Sequence, residues 1–141
     1  MFGFKRRAKE IKTDLIKADN RKLLKAAVGA GIWISSADGN IEDSEVKKLE
    51  KVISSNQHLK VFGGETTSTV DEYEQLFTDS VRAGRLEVRK LLGEIASNRE
   101  EAELVLVIVL DVAEANGNVG DDEQAVINEI GKLLGLDPSK Y

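Results

Sequence analysis

One short segment of this chain occurs twice, and the two copies constrain the fold more than any other feature. Residues 37–45 read ADGNIEDSE and residues 115–123 read ANGNVGDDE, at an offset of 78 residues. In each copy an apolar helical pattern precedes the segment and an amphipathic pattern follows it. Glycine beside Asp or Asn is typical of a turn, because these residues tolerate left-handed backbone geometry. The repeat therefore predicts two similar halves, each made of a helix, an acidic turn and a second helix.

The rest of the chain also has the pattern of helices. Apolar residues recur at spacings of three and four, and no segment shows a convincing strand pattern. We therefore predict an all-α bundle of about seven helices. It is divided into a basic amphipathic N-terminal helix over residues 1–19 and a helical domain over residues 20–141. Within that domain, Ala27 and Gly31 present a small surface where another helix can approach closely.

Turn and capping residues predict where helices begin and end. Asn20 is expected to cap a second helix, and Gly84 is expected to interrupt the chain. Thr69 and Asn98 each precede a Glu by three residues, which is the spacing of a capping box. The segment behind Asn98 is so apolar over residues 104–110 that we expect a helix buried all round.

Charge is distributed unevenly along the chain. Residues 1–25 carry nine Lys or Arg against three Asp or Glu, a net charge of +6. Residues 26–141 carry a net charge of −11. An acidic body disfavours nucleic acid as a partner, because the phosphate backbone would be repelled. The basic N-terminus can meet an acidic protein or make peripheral contact with an acidic membrane surface.

Composition excludes several classes of protein. The chain has no cysteine, which rules out disulfides, thiolate metal sites and a thiol nucleophile. Its longest apolar runs fall far short of the ~20 residues needed to cross a bilayer, and its start has no apolar signal region. We predict a cytoplasmic protein, with peripheral association at the inner membrane as an extension of that prediction.

The two acidic turns are the strongest candidates for chemistry. Asp38 and Glu45 are seven residues apart, and so are Asn116 and Glu123. Carboxylate and amide oxygens are hard ligands that suit Ca²⁺, Mg²⁺ or Mn²⁺, and Zn²⁺ is a fourth candidate. The Gly and Glu positions do not match an EF-hand loop, and one turn offers too few ligands, so a site would need both turns. Secondary candidate ligands are Asn40, Asn118 and Asp122.

The same residues also have an ordinary structural interpretation. Glu45 and Glu123 are expected near the third position of a helix, where a Glu side chain can accept a hydrogen bond from the cap residue. Asp43, Asp121 and Asp122 would complement the positive end of the helix dipole. The sequence leaves cation ligation and helix capping both open.

Nothing in the sequence indicates an enzyme. His58 is the single histidine and lies in a predicted loop with no partner histidine or cysteine. The serine pairs have no base beside them, so nucleophilic catalysis has no support. Asp111 interrupts an apolar helix, and both a buried acid near the turns and a position on an exposed face remain open.

The chain resembles the TerB-like tellurite resistance proteins over about residues 20–141. The resemblance rests on the two acidic turns, on LKVF at residues 59–62 and on LGLDP at residues 134–138, all in matching order. It implies an all-helical fold with an internal pseudo-repeat, and a non-enzymatic role in resistance to tellurite and related stress, linked to phage defence. It also implies protein partners, including membrane-embedded ones at the inner face of the membrane.

The resemblance further implies a divalent-cation site. Asp38, Glu45 and Glu123 match family positions, whereas Asn116 stands where the family usually has Asp, so one charge is missing and a lower affinity is expected. Related domains occur at the N-terminus of a membrane-anchored J-domain co-chaperone. The alternatives are therefore a metal-free interaction module that docks a basic or membrane-associated partner, and a co-chaperone-like domain.

Overall fold

The computed structural model describes residues 2–141, except for the side chains of residues 2–7, 12–19 and 116. Over that range it contains six α-helices, three short 3₁₀ turns and no strand, which confirms the all-α prediction. The helices are α1 (Phe2–Ser35), α2 (Asp43–Ser55), α3 (Glu65–Asp79), α4 (Val81–Ile95), α5 (Arg99–Ala113) and α6 (Asp121–Leu134). The 3₁₀ turns are Lys60–Phe62, Glu114–Asn116 and Pro138–Lys140.

Helix α1 unites the first two predicted helices. It continues through Asn20, so the predicted cap at that residue is wrong. No glycine or proline lies near Asn20 to end the helix, and an Asn inside a helix costs only a fraction of a kcal/mol, on the order of 0.5–0.7. From Leu23 to Ser35 every residue except Lys25 is buried, and all five other helices contact α1. This half of α1 is the central helix of the bundle.

Two glycines allow the other helices to approach α1 closely. A Cβ atom at Gly31 would lie 2.5 Å from Cδ1 of Leu49 on α2, and one at Gly29 would lie 2.8 Å from Cγ2 of Val88 on α4. Contacts this short are far inside van der Waals distance, so neither position has room for a side chain. The close helix approach predicted at Gly31 is confirmed, and the helix that approaches is α2.

Two predicted helix boundaries are wrong for identifiable reasons. Helix α3 begins four residues before Thr69, and the Thr69 hydroxyl donates to the Glu65 carbonyl at 2.8 Å instead of capping. Gly84 lies inside α4, where a Cβ would meet the Phe77 ring at 2.7 Å. The lack of a side chain at Gly84 therefore serves packing. The true boundary is at Ser80, which caps α4.

The cap predicted at the start of α5 is confirmed. Oδ1 of Asn98 accepts a hydrogen bond from the Glu101 backbone N–H at 3.2 Å. Burial of α5 is less complete than predicted, because Val107 is 41% exposed and Leu104 and Leu110 are half-buried. Helix α5 therefore keeps one uncovered stripe.

Replacing Asn98 by alanine should lower the free energy of unfolding by about 1 kcal/mol, because a backbone donor of the first turn of α5 loses its acceptor. Urea denaturation followed by circular dichroism measures the change. The matched control is Asn98→Asp, which keeps an acceptor oxygen and should retain most of the stability. Equal losses in both variants would contradict a capping role.

Candidate cation site at the acidic turns

The two acidic turns have the same backbone design. Gly39 and Gly117 adopt positive φ angles of 93° and 89°, values that a glycine accepts without strain. Helix α2 then begins at Asp43 and α6 begins at Asp121, which preserves the offset of the sequence repeat. The predicted helix–turn–helix pseudo-repeat is therefore present in the backbone.

Glu45 is the central residue of this region. It is the third residue of α2, is only 4% exposed, and its Oε2 atom is buried without a hydrogen-bond partner. Burial, followed in order of size by the charges of Glu123, Glu42 and Asp38, raises the pKa of the Glu45 carboxyl from 4.5 to about 7. The fold thus brings an acid of the second turn into the electrostatic field of the first turn.

Asp38 and Glu123, the other two predicted acidic ligands, each accept a hydrogen bond from the backbone of their own turn. Oδ1 of Asp38 accepts from the Asn40 backbone N–H at 3.0 Å, and Oε1 of Glu123 accepts from the Gly120 backbone N–H at 3.4 Å. The second bond is at the long end of the range for hydrogen bonds and is correspondingly weak. The capping interpretation therefore accounts for part of the role of Glu123, and it leaves the buried Oε2 of Glu45 unexplained.

The described residues do not form a closed metal-binding shell. Among the residues that the structure describes, no group of three or more His, Cys, Asp or Glu side chains is spaced to hold a metal ion. The side chain of Asn116 lies outside the described residues, and the secondary candidates Asn40, Asn118 and Asp122 are exposed. Asp38, Glu45 and Glu123 therefore share one electrostatic field without forming a coordination shell.

Sequence reasoning missed Glu42 as a member of this group. Its charge is one of the causes of the raised pKa of Glu45, and it stands where the second copy of the repeat has Gly120. The signal was the departure from the repeat: the second turn has an amide at position 116, while the first turn gains an acid at position 42. The first turn segment, residues 37–45, therefore carries four acids against three in residues 115–123.

Asp111 belongs to a different part of the surface. It is half-buried and shares a cavity of about 500 Å³ with Glu114 and with three lysines of α2, Lys47, Lys48 and Lys51. His58 is exposed, and its backbone N–H donates to Oδ1 of Asn56 at 2.8 Å. Neither side chain joins the group around Glu45.

Comparison with known proteins identifies the family of the chain. In the described part of the structure, none of the helices has the length and apolar character required to cross a bilayer. Searches against curated proteins and against solved structures give no match. The sequence model of one family, described as Tellurite resistance protein TerB, matches residues 24–141, which is most of the chain. Together with the all-α fold and the repeated acidic turn, this match shows that the chain belongs to the TerB family of tellurite resistance proteins.

Proposed function

We propose that this TerB-family chain is a non-enzymatic binding domain in tellurite resistance and related stress, with a weak divalent-cation site between its two acidic turns. The observation that carries the proposal is the buried carboxylate of Glu45, whose Oε2 has no hydrogen-bond partner. We place the protein in the cytoplasm, where it would act through protein partners, including membrane-embedded ones.

The electrostatics around Glu45 favour a cation. A buried carboxylate without a partner is unfavourable, and neighbouring negative charges make it more so. The charges of Glu123, Glu42 and Asp38 all act on the Glu45 carboxyl. A divalent ion would neutralise this repulsion and take the unpaired oxygen as a ligand, since carboxylate oxygens suit hard cations. Glu45, Asp38 and Glu123 would hold the ion.

The site would require the acidic side chains to rearrange. Glu123 would leave the Gly120 N–H, and because that bond measures 3.4 Å the loss is small. The required movement and the absence of a preformed shell make the site weak, so we expect millimolar dissociation constants, which correspond to about −4 kcal/mol.

Titration with metal chlorides, followed by backbone amide NMR, tests the cation site. Ca²⁺, Mg²⁺, Mn²⁺ and Zn²⁺ are added separately to the chelator-treated protein, and changes confined to residues 38–45 and 116–123 are expected. Glu45→Gln should abolish these changes, and Asp71→Asn, which removes an exposed acid on α3, should leave them intact. A lack of localised change at about 10 mM of every ion would contradict the proposal.

A metal-free interaction module is the second candidate. It is favoured by the lack of a preformed three-acid group among the described residues and by the capping bond of Glu123. In that case the acidic face docks a basic partner, as it would in a co-chaperone-like domain. Capture of partners by the Glu45→Gln/Glu123→Gln variant distinguishes the two, because equal loss with and without chelator would favour the metal-free module.

A further inference from the structure

A groove runs beside the uncovered stripe of α5, at the far end of that helix from the acidic turns. Its volume is about 640 Å³, and the aliphatic residues of its lining are Leu23, Leu104 and Val107. Glu100, Glu101 and Glu103 also line it, and no Lys or Arg is among the lining residues whose side chains the structure describes. The groove therefore combines aliphatic and acidic side chains in its lining.

The stripe has the spacing of a helix-docking surface. Glu100, Leu104 and Val107 lie four and three residues apart, so they share one face of α5. Acids in the first turn of a helix are explained by the helix dipole. The helix dipole does not explain why the apolar side chain of Val107 is 41% exposed, on a helix whose other faces are buried. An amphipathic helix laid into the groove would cover it.

The N-terminal part of α1 has the complementary chemistry. Residues 1–19, here called the basic arm, carry six Lys or Arg against three Asp or Glu. Phe4, Ala8, Ile11 and Leu15 have the same helical spacing as the stripe on α5. Ala8 to Ile11 are exposed, and Ile11 is 55% exposed.

We propose that the basic arm of one chain docks into this groove of a second copy, so that two chains exchange arms about a twofold axis. The apolar face of the arm covers Leu104 and Val107, while its Lys and Arg residues meet Glu100 and Glu101. Such an exchange is self-complementary, as a twofold dimer requires. Docking also stabilises a helical arm that would be marginal alone in water.

The continuity of α1 argues against the chain's own arm as the occupant. Asn20 and Leu23 line the groove, and α1 is continuous from Phe2 through both residues. The arm could turn back and lie along α5 in its own groove only if α1 broke. An anionic membrane is disfavoured as the partner of the arm, because Glu10 and Asp14 interrupt the positive charge of the arm.

Two charge-reversed versions of the full chain test the exchange. One carries Lys9→Glu and Lys12→Glu in the arm, and the other carries Glu100→Lys and Glu101→Lys in the groove. Each variant alone places like charges in contact and should remain monomeric by analytical ultracentrifugation. An equimolar mixture restores opposite charges at both contacts and should form a heterodimer. This rescue cannot arise from misfolded variants.

Single substitutions test the apolar part of the contact. Val107→Asp and Ile11→Asp should each weaken dimerisation of the full chain at least about tenfold, because each buries a charge against an apolar surface. The matched control is Leu86→Asp, which alters a 69% exposed leucine on α4 and should leave the dimer unchanged. A wild-type chain that is monomeric at about 200 μM, or a charge-reversed mixture without heterodimer, would overturn the proposal. Binding to anionic vesicles by a monomeric chain would assign the arm to a membrane instead.

Discussion

Replacement of Gly31 by valine should lower the free energy of unfolding by about 3 kcal/mol, since overpacking of a close helix contact costs this much. A Cβ at Gly31 would lie 2.5 Å and 2.7 Å from the two Cδ atoms of Leu49. Leu49 is completely buried, so its side chain cannot swing out into solvent to make room. Valine also adds two methyl groups, which would force α2 away from α1. Urea denaturation of the purified chain measures the loss.

Two companion variants make the Gly31 result specific. Gly93 lies on an exposed face of α4 with no atom within 4 Å of an added Cβ, so Gly93→Ala should raise stability by about 0.5–1 kcal/mol through helix propensity alone. In the double variant Gly31→Val/Leu49→Ala, the space vacated by leucine should accept valine. Its loss should therefore be smaller than the sum of the two single losses. Additive losses would contradict direct contact between these positions.

The contact of Gly31 with Leu49 also positions the candidate site. Leu49 lies one helical turn after Glu45 on α2, so the two side chains share a face of that helix. The depth to which Leu49 packs against α1 therefore sets the depth at which the Glu45 carboxyl is buried. A variant that displaces α2 should return the pKa of Glu45 towards its ordinary value.

Local signals in the sequence were sufficient to predict the turns. Gly39 and Gly117 recur with the same neighbours, and a positive φ at a glycine depends only on the immediate chain. The cap at Asn98 is also a local feature, because its partner is the backbone of Glu101, three residues further along the chain. Asn20 was misjudged because a capping residue is also tolerated inside a helix, and only the continuity of α1 decides between the two.

Features that depend on tertiary contacts were not predictable from one sequence. Gly84 resembles a helix breaker until the Phe77 ring is placed against it. Glu45 and Glu123 occupy equivalent positions in the repeat, yet Glu45 is buried and Glu123 is half-buried. Their difference arises from packing of α2 against the centre of the bundle. The burial and the raised pKa of the Glu45 carboxyl are therefore properties of the fold.

Burial of Glu45 should make the protein less stable as the pH rises towards neutrality. The pKa of its carboxyl is about 7 in the folded chain and near 4.5 in the unfolded chain. Below about pH 4.5 the group is protonated in both states, and its contribution is fully present. Between the two pKa values only the unfolded chain releases the proton, so stability falls with rising pH. The loss is complete above the folded pKa and amounts to at most about 3 kcal/mol.

Replacement of Glu45 by glutamine should abolish this pH dependence. With chelator present, Glu45→Gln should be more stable than the wild type by about 2 kcal/mol near pH 8, because the amide carries no charge to repel Glu123 and Asp38. Near pH 4 the two chains should have similar stability, since glutamine resembles a protonated carboxyl.

Thermal unfolding should show the difference as about 3 °C per kcal/mol, and Asp71→Asn should follow the wild type at each pH. A divalent ion bound at Glu45 should raise the melting temperature of the wild type near pH 8 and leave that of Glu45→Gln unchanged. Equal stability of wild type and Glu45→Gln near pH 8 without metal would show that the Glu45 carboxylate is not destabilised by burial and its acidic neighbours.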